Sequence, residues 1–461
     1  MRRAVRRGAL LVALLTACGQ PSPPPEAPPP RPVPAPSGPA AAADTSAPPA
    51  MPDTSPPTHL EDIINTPAPS ERSVSGTHVV RVALVSGVSR VTLSASGPWR
   101  IFDSDGASTL VRASGGESWV VDRVNGRLRA TPLSGAPAAA RPAPFVVRPA
   151  ARNAFLSVNG KRYRGEITIE SAPGGVTVIN RVYIEDYLRG VVPLELGQRT
   201  SDERAAVEAQ AVAARSYVYT HLATEPGRAY DVLATVLDQV YGGADVEQPL
   251  SDDAVRRTTG QVLTYGGRIV NAPYFSTCGG STAAASEVWR ERDEPYLVSV
   301  SDRIPGTADR YYCDQSPRFR WTQTFDRAAL SATLEKYLRS YASVAGRIGR
   351  VRDVTIQGRT TSGRVETLRL ATDQGSYSLR GNDIRFVLRT PGGEILASTY
   401  FSIDRESDDA GLARLILRGS GYGHGVGMCQ WGAIGRARAG QDYRAILRAY
   451  YPGTTLAVVA E

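Results

Sequence analysis

Two segments of this chain carry side chains that could move a proton. Glu195 follows Val191, Val192, Pro193 and Leu194. Apolar neighbours desolvate a carboxylate, favour its neutral form and raise its pKa, which is what a general acid requires. A glutamate at a helix start is also stabilised by the helix dipole, so the residues alone leave both readings open. In the second segment Gly421, Gly423, Gly425 and Gly427 alternate with Tyr422, His424, Val426 and Met428. Glycine at every second position lets a backbone or a substrate ring come close. Gly423 is then a candidate contact, and His424 is held on the opposite face, with Gln430 and Trp431 soon after. Trp431 suits ring stacking and core packing equally. Arg215 and Ser216 lie beyond Glu195, Asp238, Gln239 and Tyr241 fall in LDQVYGG, and Ser276 and Thr277 precede Gly279-Gly280. Glu185 and Asp186 read as acids of a helix start. Cys429 and His424 would put a nucleophile and its base in one tight loop, with no third residue to orient the histidine. A small buried thiol is the expectation there.

These groups need a frame, and the chain supplies one in blocks. From about residue 78, short runs such as HVVRVALV, SRVTLSAS, GRLRATPL and KRYRGEITIE are divided by Gly and Ser and read as strands, with hairpin turns at Asn159-Gly160 and Gly174-Gly175. Residues 76–170 form an N-terminal β-rich part and 171–461 the core that carries the chemistry. At Glu185 the periodicity turns helical: a short helix ends at Gly190, an apolar turn carries Glu195, and ERAAVEAQAVAARSYVYTHL forms an Ala-rich helix. Later stretches, including VRDVTIQGRT, RVETLRLAT, GSYSLRGNDIRFVL and LARLILRGSG, return to strand, and the C-terminus is helical. The expected class is α+β, largely antiparallel β with a few helices lining a substrate groove.

Three segments carry a family resemblance: EDYLRGVVPLELG with the Ala-rich helix; LDQVYGG with YFSTCGGSTAAASEVW; and GSGYGHGVGMCQWGAIGRARAGQDYRAILRAYYPGTTL. In order and spacing they are similar to the SpoIID/LytB family of bacterial wall proteins, over residues 78–457. The resemblance implies a lytic transglycosylase that cuts peptidoglycan glycan strands, especially strands stripped of stem peptides. It places the catalytic acid at Glu195. One acid suffices for that reaction, because the muramic C6 hydroxyl attacks intramolecularly, whereas a hydrolase normally uses two carboxylates. His424 would then orient substrate or hydrogen-bond Glu195. Gln430, Arg215, Ser216, Tyr241, Ser276 and Gly423 would face the groove, Arg215 toward sugar or the lactyl carboxylate. A second implied reading is a non-catalytic activator of a separate wall amidase. The chain departs from some members in two ways. Where they cluster His and Cys after the Ala-rich helix, residues 221–238 hold one histidine and no cysteine, so no metal and no cofactor is expected. Cys429 also stands where a serine is often found.

The N-terminus indicates a compartment. Arg2, Arg3, Arg6 and Arg7 precede an apolar run from Ala9 to Leu15, too short to span a bilayer, and Leu15-Thr16-Ala17-Cys18 matches a lipobox. Residues 1–17 are expected to be a lipoprotein signal peptide and Cys18 a lipidated anchor to the membrane. Residues 18–75, rich in Pro and Ala, form a disordered tether. Gly19 lacks the aspartate associated with inner-membrane retention, so the expected location is the cell envelope, at an outer membrane facing the periplasm if the cell has one. Cys278 and Cys313 sit in turn-rich sequence and could form a disulfide in that oxidising space, or remain buried thiols. The net charge is +8, with a pI near 9.4. The sequence has no zinc-finger, helix-turn-helix or base-stacking signature, which argues against nucleic acid and toward an anionic envelope polymer.

Overall fold

In the computed structural model the described residues are 72–74, 79–104, 106, 108–151, 153–222, 227–289, 293–344 and 346–459. The signal peptide, Cys18 and most of the tether lie outside them. Alternating apolar residues put one face of each strand inward. Val232–Leu233, Val79–Val88, Gly175–Tyr183, Glu166–Ala172, Phe145–Pro149, Trp99–Phe102 and Thr109–Ala113 form, in that order, a seven-stranded sheet. Lys161–Tyr163, Leu156–Val158, Arg90–Ala95, Trp119–Val124 and Arg127–Pro132 form a second sheet of five. Pairing in both is antiparallel apart from Val232–Leu233, which runs parallel to Val79–Val88. Val82, Leu93, Ile101, Val121, Phe145 and Ile167 from the two sheets share one core. Asn159 and Gly160 make the expected hairpin turn with φ of 49° and 85°, conformations that Asn and Gly tolerate best.

The helices in chain order are α1 (Ile184–Leu196), α2 (Arg204–His221), α3 (Pro249–Arg257), α4 (Ala285–Val288), α5 (Arg327–Tyr337), α6 (Asp383–Val387), α7 (Gln430–Arg438) and α8 (Tyr443–Tyr450). The Ala-rich α2 is the hub: Ala206, Ala209, Ala213 and Ala214 are buried, and their small side chains let α1, α3, α7 and α8 pack around it. Between the Ser276 loop and the glycine-rich segment, residues 320–420 form an inserted part. Strands Arg320–Asp326, Gly411–Ser420 and Phe401–Asp408 make one three-stranded sheet there, and Val351–Arg359, Val365–Thr372 and Gly375–Arg380 make another. With α5 and α6 they enclose a core of their own, including Phe325, Leu334, Val354, Leu368, Ile384 and Leu415. The fold is α+β.

Three local expectations are corrected. Glu195 sits in the last turn of α1, not in a turn beyond it, because the helix runs through Gly190 and Pro193. Gly190 is there for space: a Cβ would lie 2.5 Å from the Tyr241 ring. Residues 383–387 of GSYSLRGNDIRFVL are helical. Residues 421–427 form a loop in which all four glycines have positive φ.

Candidate functional site

The end of α1 turns the Glu195 carboxyl onto the loop that follows Asp238, where Oε1 accepts the Val240 N–H at 2.8 Å. The side chain of Gln430, the first residue of α7, also hydrogen-bonds it. Burial pushes its pKa above the ordinary glutamate range, and these two hydrogen bonds only partly offset that. Three tyrosines lie within reach of its charge. Burial raises Tyr187, Tyr217 and Tyr274 well beyond the usual phenol range, and the negative charge of Glu195 adds to each. Gln239 ties two of them together: its Oε1 accepts the Tyr187 hydroxyl at 3.0 Å and its Nε2 donates to the Tyr274 hydroxyl at 2.9 Å. Asp238 is held at both oxygens, one accepting the Tyr217 hydroxyl at 3.2 Å and the other the Leu233 N–H at 2.7 Å.

His424 has both ring nitrogens committed. The Val426 N–H donates to Nδ1 at 3.1 Å, so the ring proton is on Nε2, which donates to the Tyr274 carbonyl at 2.9 Å. Burial and the nearby Arg385 push its pKa down to about 3, so the ring stays neutral. His424 therefore does not hydrogen-bond Glu195 as one expectation had it. It holds the backbone of Tyr274, whose phenol is near enough to Glu195 to feel its charge. Gly423 makes room for this: at φ 117° its missing Cβ would lie 2.8 Å from Phe275, which packs against the imidazole at 5.2 Å between centroids. On its other side His424 meets Trp289, also at 5.2 Å. Trp289 lines a cleft of about 1460 Å³ together with Glu287, Arg359, Thr361, Arg380 and Phe386.

Of the groove candidates, Gln430 meets the carboxyl, and Ser276 reaches it only by way of the residue after Gln430. The Ser276 carbonyl accepts the N–H of half-buried Trp431 at 3.0 Å. Three others belong to the interior. Arg215 is fully buried, paired to both oxygens of Glu185 at 2.8 and 2.7 Å and donating to the Gln261 carbonyl at 3.1 Å. Ser216 donates to the Val212 carbonyl and accepts the Leu263 N–H, each within 2.8 Å. Tyr241 is buried against Tyr163 and Tyr187, its hydroxyl on Asn180 at 2.8 Å. Tyr274 and Tyr187 were missed by sequence reading. Gln239, read only as a groove-loop polar residue, was the usable signal, since a buried amide needs partners.

The three remaining cysteines converge. Cys278 and Cys313, expected to form a disulfide, have their sulfurs 3.3 Å apart, wider than the roughly 2.05 Å of a disulfide, and both thiols are free. Cys429 and Asp302 share the same buried space. The expectation of no metal rests on residues 221–238, whereas this group is drawn from three distant segments.

The family model described as Stage II sporulation protein (SpoIID) matches residues 172–265, the stretch holding α1, Glu195 and α2. Over 315 residues the chain is 30% identical to the Stage II sporulation protein D of Bacillus subtilis, covering 64% of this chain and 82% of that one. The chain belongs to the SpoIID/LytB family. Within this family it is also 34% identical over 331 residues to the amidase enhancer of B. subtilis, covering 65% of this chain. It spans 45% of the length of that relative. An uncharacterised protein of Brachyspira hyodysenteriae is 31% identical over 303 residues, 65% of this chain and 74% of the relative. Residues 283–427, which include all of the inserted part, match a domain of unknown function (DUF8618). In this SpoIID/LytB protein the SpoIID-matched region meets α7, the helix that follows the glycine-rich loop, through the hydrogen bond between Glu195 and Gln430.

Proposed function

We propose that this SpoIID/LytB protein is a lytic transglycosylase that cleaves the bond between N-acetylmuramic acid and N-acetylglucosamine in peptidoglycan, with Glu195 as its only proton shuttle. The observation that carries the reading is the Glu195 carboxyl itself: desolvated, raised in pKa, and hydrogen-bonded by Val240 and Gln430. Neutral Glu195 gives its proton to the leaving glycosidic oxygen as the bond to the muramic C1 breaks. The resulting carboxylate takes the proton of the muramic C6 hydroxyl as O6 bonds to C1, which leaves a 1,6-anhydro end and consumes no water. Asp238, the other carboxylate of this loop, accepts one hydrogen bond on each oxygen, from Tyr217 and Leu233, which fixes its orientation. The polar, aromatic-edged cleft at Trp289 is not lined by Glu195 and connects to its site only through His424 and the Tyr274 backbone.

Similarity to a protein named amidase enhancer favours a second reading, a peptidoglycan-binding activator of a separate amidase. Digestion of defined, peptide-stripped glycan strands followed by mass spectrometry decides between them. The expected products carry an anhydro end, one water lighter than a hydrolysed end. Intact strands alongside a stimulated amidase would establish the activator.

We also propose that the protein is exported and anchored by lipid at Cys18, on an outer membrane where the cell has one, with residues 18–75 as the tether that lets the site reach the wall. The basic leader and the Leu-Thr-Ala-Cys motif support this. Radiolabelled palmitate should be incorporated into the wild type and not into Cys18→Ser. Equal labelling of both would end the anchoring proposal.

A further inference from the structure

Among the described residues outside the Glu195 site, Cys278, Cys313, Cys429 and Asp302 form a close group of ligand-type side chains. Their Sγ and carboxylate atoms lie within 4.8 Å of one another, and all four side chains are completely buried. They come from three separate segments: the Ser276 loop, the turns at residues 302–313, and the start of α7. From this geometry we infer that the protein holds a structural zinc ion in a closed Cys3Asp site.

Four observations converge on a cation. The first is the ligand set. Three thiolates and a carboxylate complete the tetrahedral shell zinc prefers and leave no open position, which is the pattern of a structural site. The second is the aim of the backbone. The Cys429 sulfur accepts two amides, Cys278 N–H at 3.1 Å and Gly432 N–H at 3.2 Å, from its place at the N-cap of α7. The Gly279 N–H points at the Cys313 sulfur. Amides and a helix N-terminus directed at sulfur stabilise thiolates, whereas neutral thiols gain little from them.

The third observation is the carboxylate. Oδ2 of Asp302 faces Cys278 at 3.5 Å, while Oδ1 accepts the Tyr450 hydroxyl at 2.7 Å and pairs with Arg436 at 3.3 Å. One oxygen is thereby oriented by outer partners and the other is turned to the sulfurs, as in carboxylates that ligate metals. Gly432 keeps the space open, because a Cβ there would collide with that carboxylate and with Tyr450.

The fourth is charge. Three thiolates and one carboxylate are prohibitive in a dry interior. A divalent cation cancels half of that charge. The buried guanidiniums of Arg436 and Arg364 balance the rest, Arg364 donating to the Cys278 carbonyl at 3.2 Å. A disulfide would use two sulfurs and strand the third beside Asp302.

The ion would pin the start of α7, and with it Gln430, against the Ser276 loop. Its place is distinct from residues 221–238, and its existence does not depend on what reaction Glu195 performs.

The test uses the full chain purified from the envelope fraction without chelator or added metal. Elemental analysis should find about one zinc ion per chain. Replacing it with cobalt should give the intense near-ultraviolet thiolate charge-transfer band and visible bands of a tetrahedral site. Cys278, Cys313 and Cys429 should resist thiol reagents until a strong chelator is added. Cys429→Ser and Asp302→Asn should retain less than about a tenth of the zinc. Should these variants fail to fold, the wild-type metal content and thiol reactivity still decide the matter. Wild-type chains that contain no metal overturn the inference, whether their intact mass is lower by two hydrogens, showing a disulfide, or their three thiols react freely.

Discussion

Glu195→Gln is expected to lower the release of anhydro-ended muropeptides by about a thousandfold while leaving glycan binding intact, the scale on which positioned acid–base groups act. The substitution is nearly isosteric. Its amide oxygen can still accept the Val240 N–H, so the end of α1 and the loop after Asp238 should keep their geometry. What is lost is a proton acidic enough to pass to a departing sugar oxygen. The pH profile follows from the same carboxyl. The free enzyme must carry the proton on Glu195, so activity should fall as pH rises through a pKa above the ordinary glutamate value. No limb should come from His424, because burial holds it down to about 3 and it is neutral throughout the working range. Stability gives an independent check. A carboxyl whose folded pKa is raised favours the fold below its unfolded pKa, and that advantage is lost as pH rises through the folded one. Glu195→Gln should therefore melt no lower than the wild type at neutral pH. Wild-type product yields from the variant would remove Glu195 from the chemistry. An unchanged ability to stimulate an amidase would then favour the activator.

What could be read in the sequence was whatever depends on local pattern. The alternating strands of the first two sheets, the Asn159-Gly160 hairpin and the Ala-rich helix each follow from short-range spacing, and each is present. Glu195 was misplaced by one element because Gly190 read as the end of the helix. Here tertiary packing prevails: Val191, Val192 and Leu196 are buried, and the Gly190 carbonyl gains the Gly242 N–H at 3.0 Å. Strand Phe401–Asp408 escaped notice because almost all of it is exposed, so no apolar alternation marks it. The glycine-histidine segment suggested a strand, but each glycine is needed where something comes close, Phe275 at Gly423 and the Arg364 guanidinium at Gly425. The cysteine cluster was illegible for a different reason. Its members are far apart along the chain, and only the fold brings them together.

Arg215 separates a groove role from a structural one. Arg215→Met is expected to destabilise the protein by about 3 kcal/mol, at the lower end of what breaking a buried ion pair costs. The lower end applies because Glu185 is 36% exposed and can take up water once it loses its partner, whereas the Arg215 side chain is wholly enclosed. The guanidinium ties the first turn of α1 to the Gln261 carbonyl, and Glu185 also accepts the Gly260 N–H at 3.2 Å. Its removal therefore loosens the base of the helix that carries Glu195 at its other end. The double variant Glu185→Met, Arg215→Met should recover part of the loss, since neither charge is then left without its counterpart. Thermal or denaturant unfolding of the wild type, both single variants and the double variant measures the coupling directly. If Arg215 instead bound a substrate carboxylate, Arg215→Met would unfold at the wild-type midpoint and show its defect as a raised KM. The enclosed geometry of the pair requires the opposite result, with the midpoint lowered and the KM of the folded fraction unchanged.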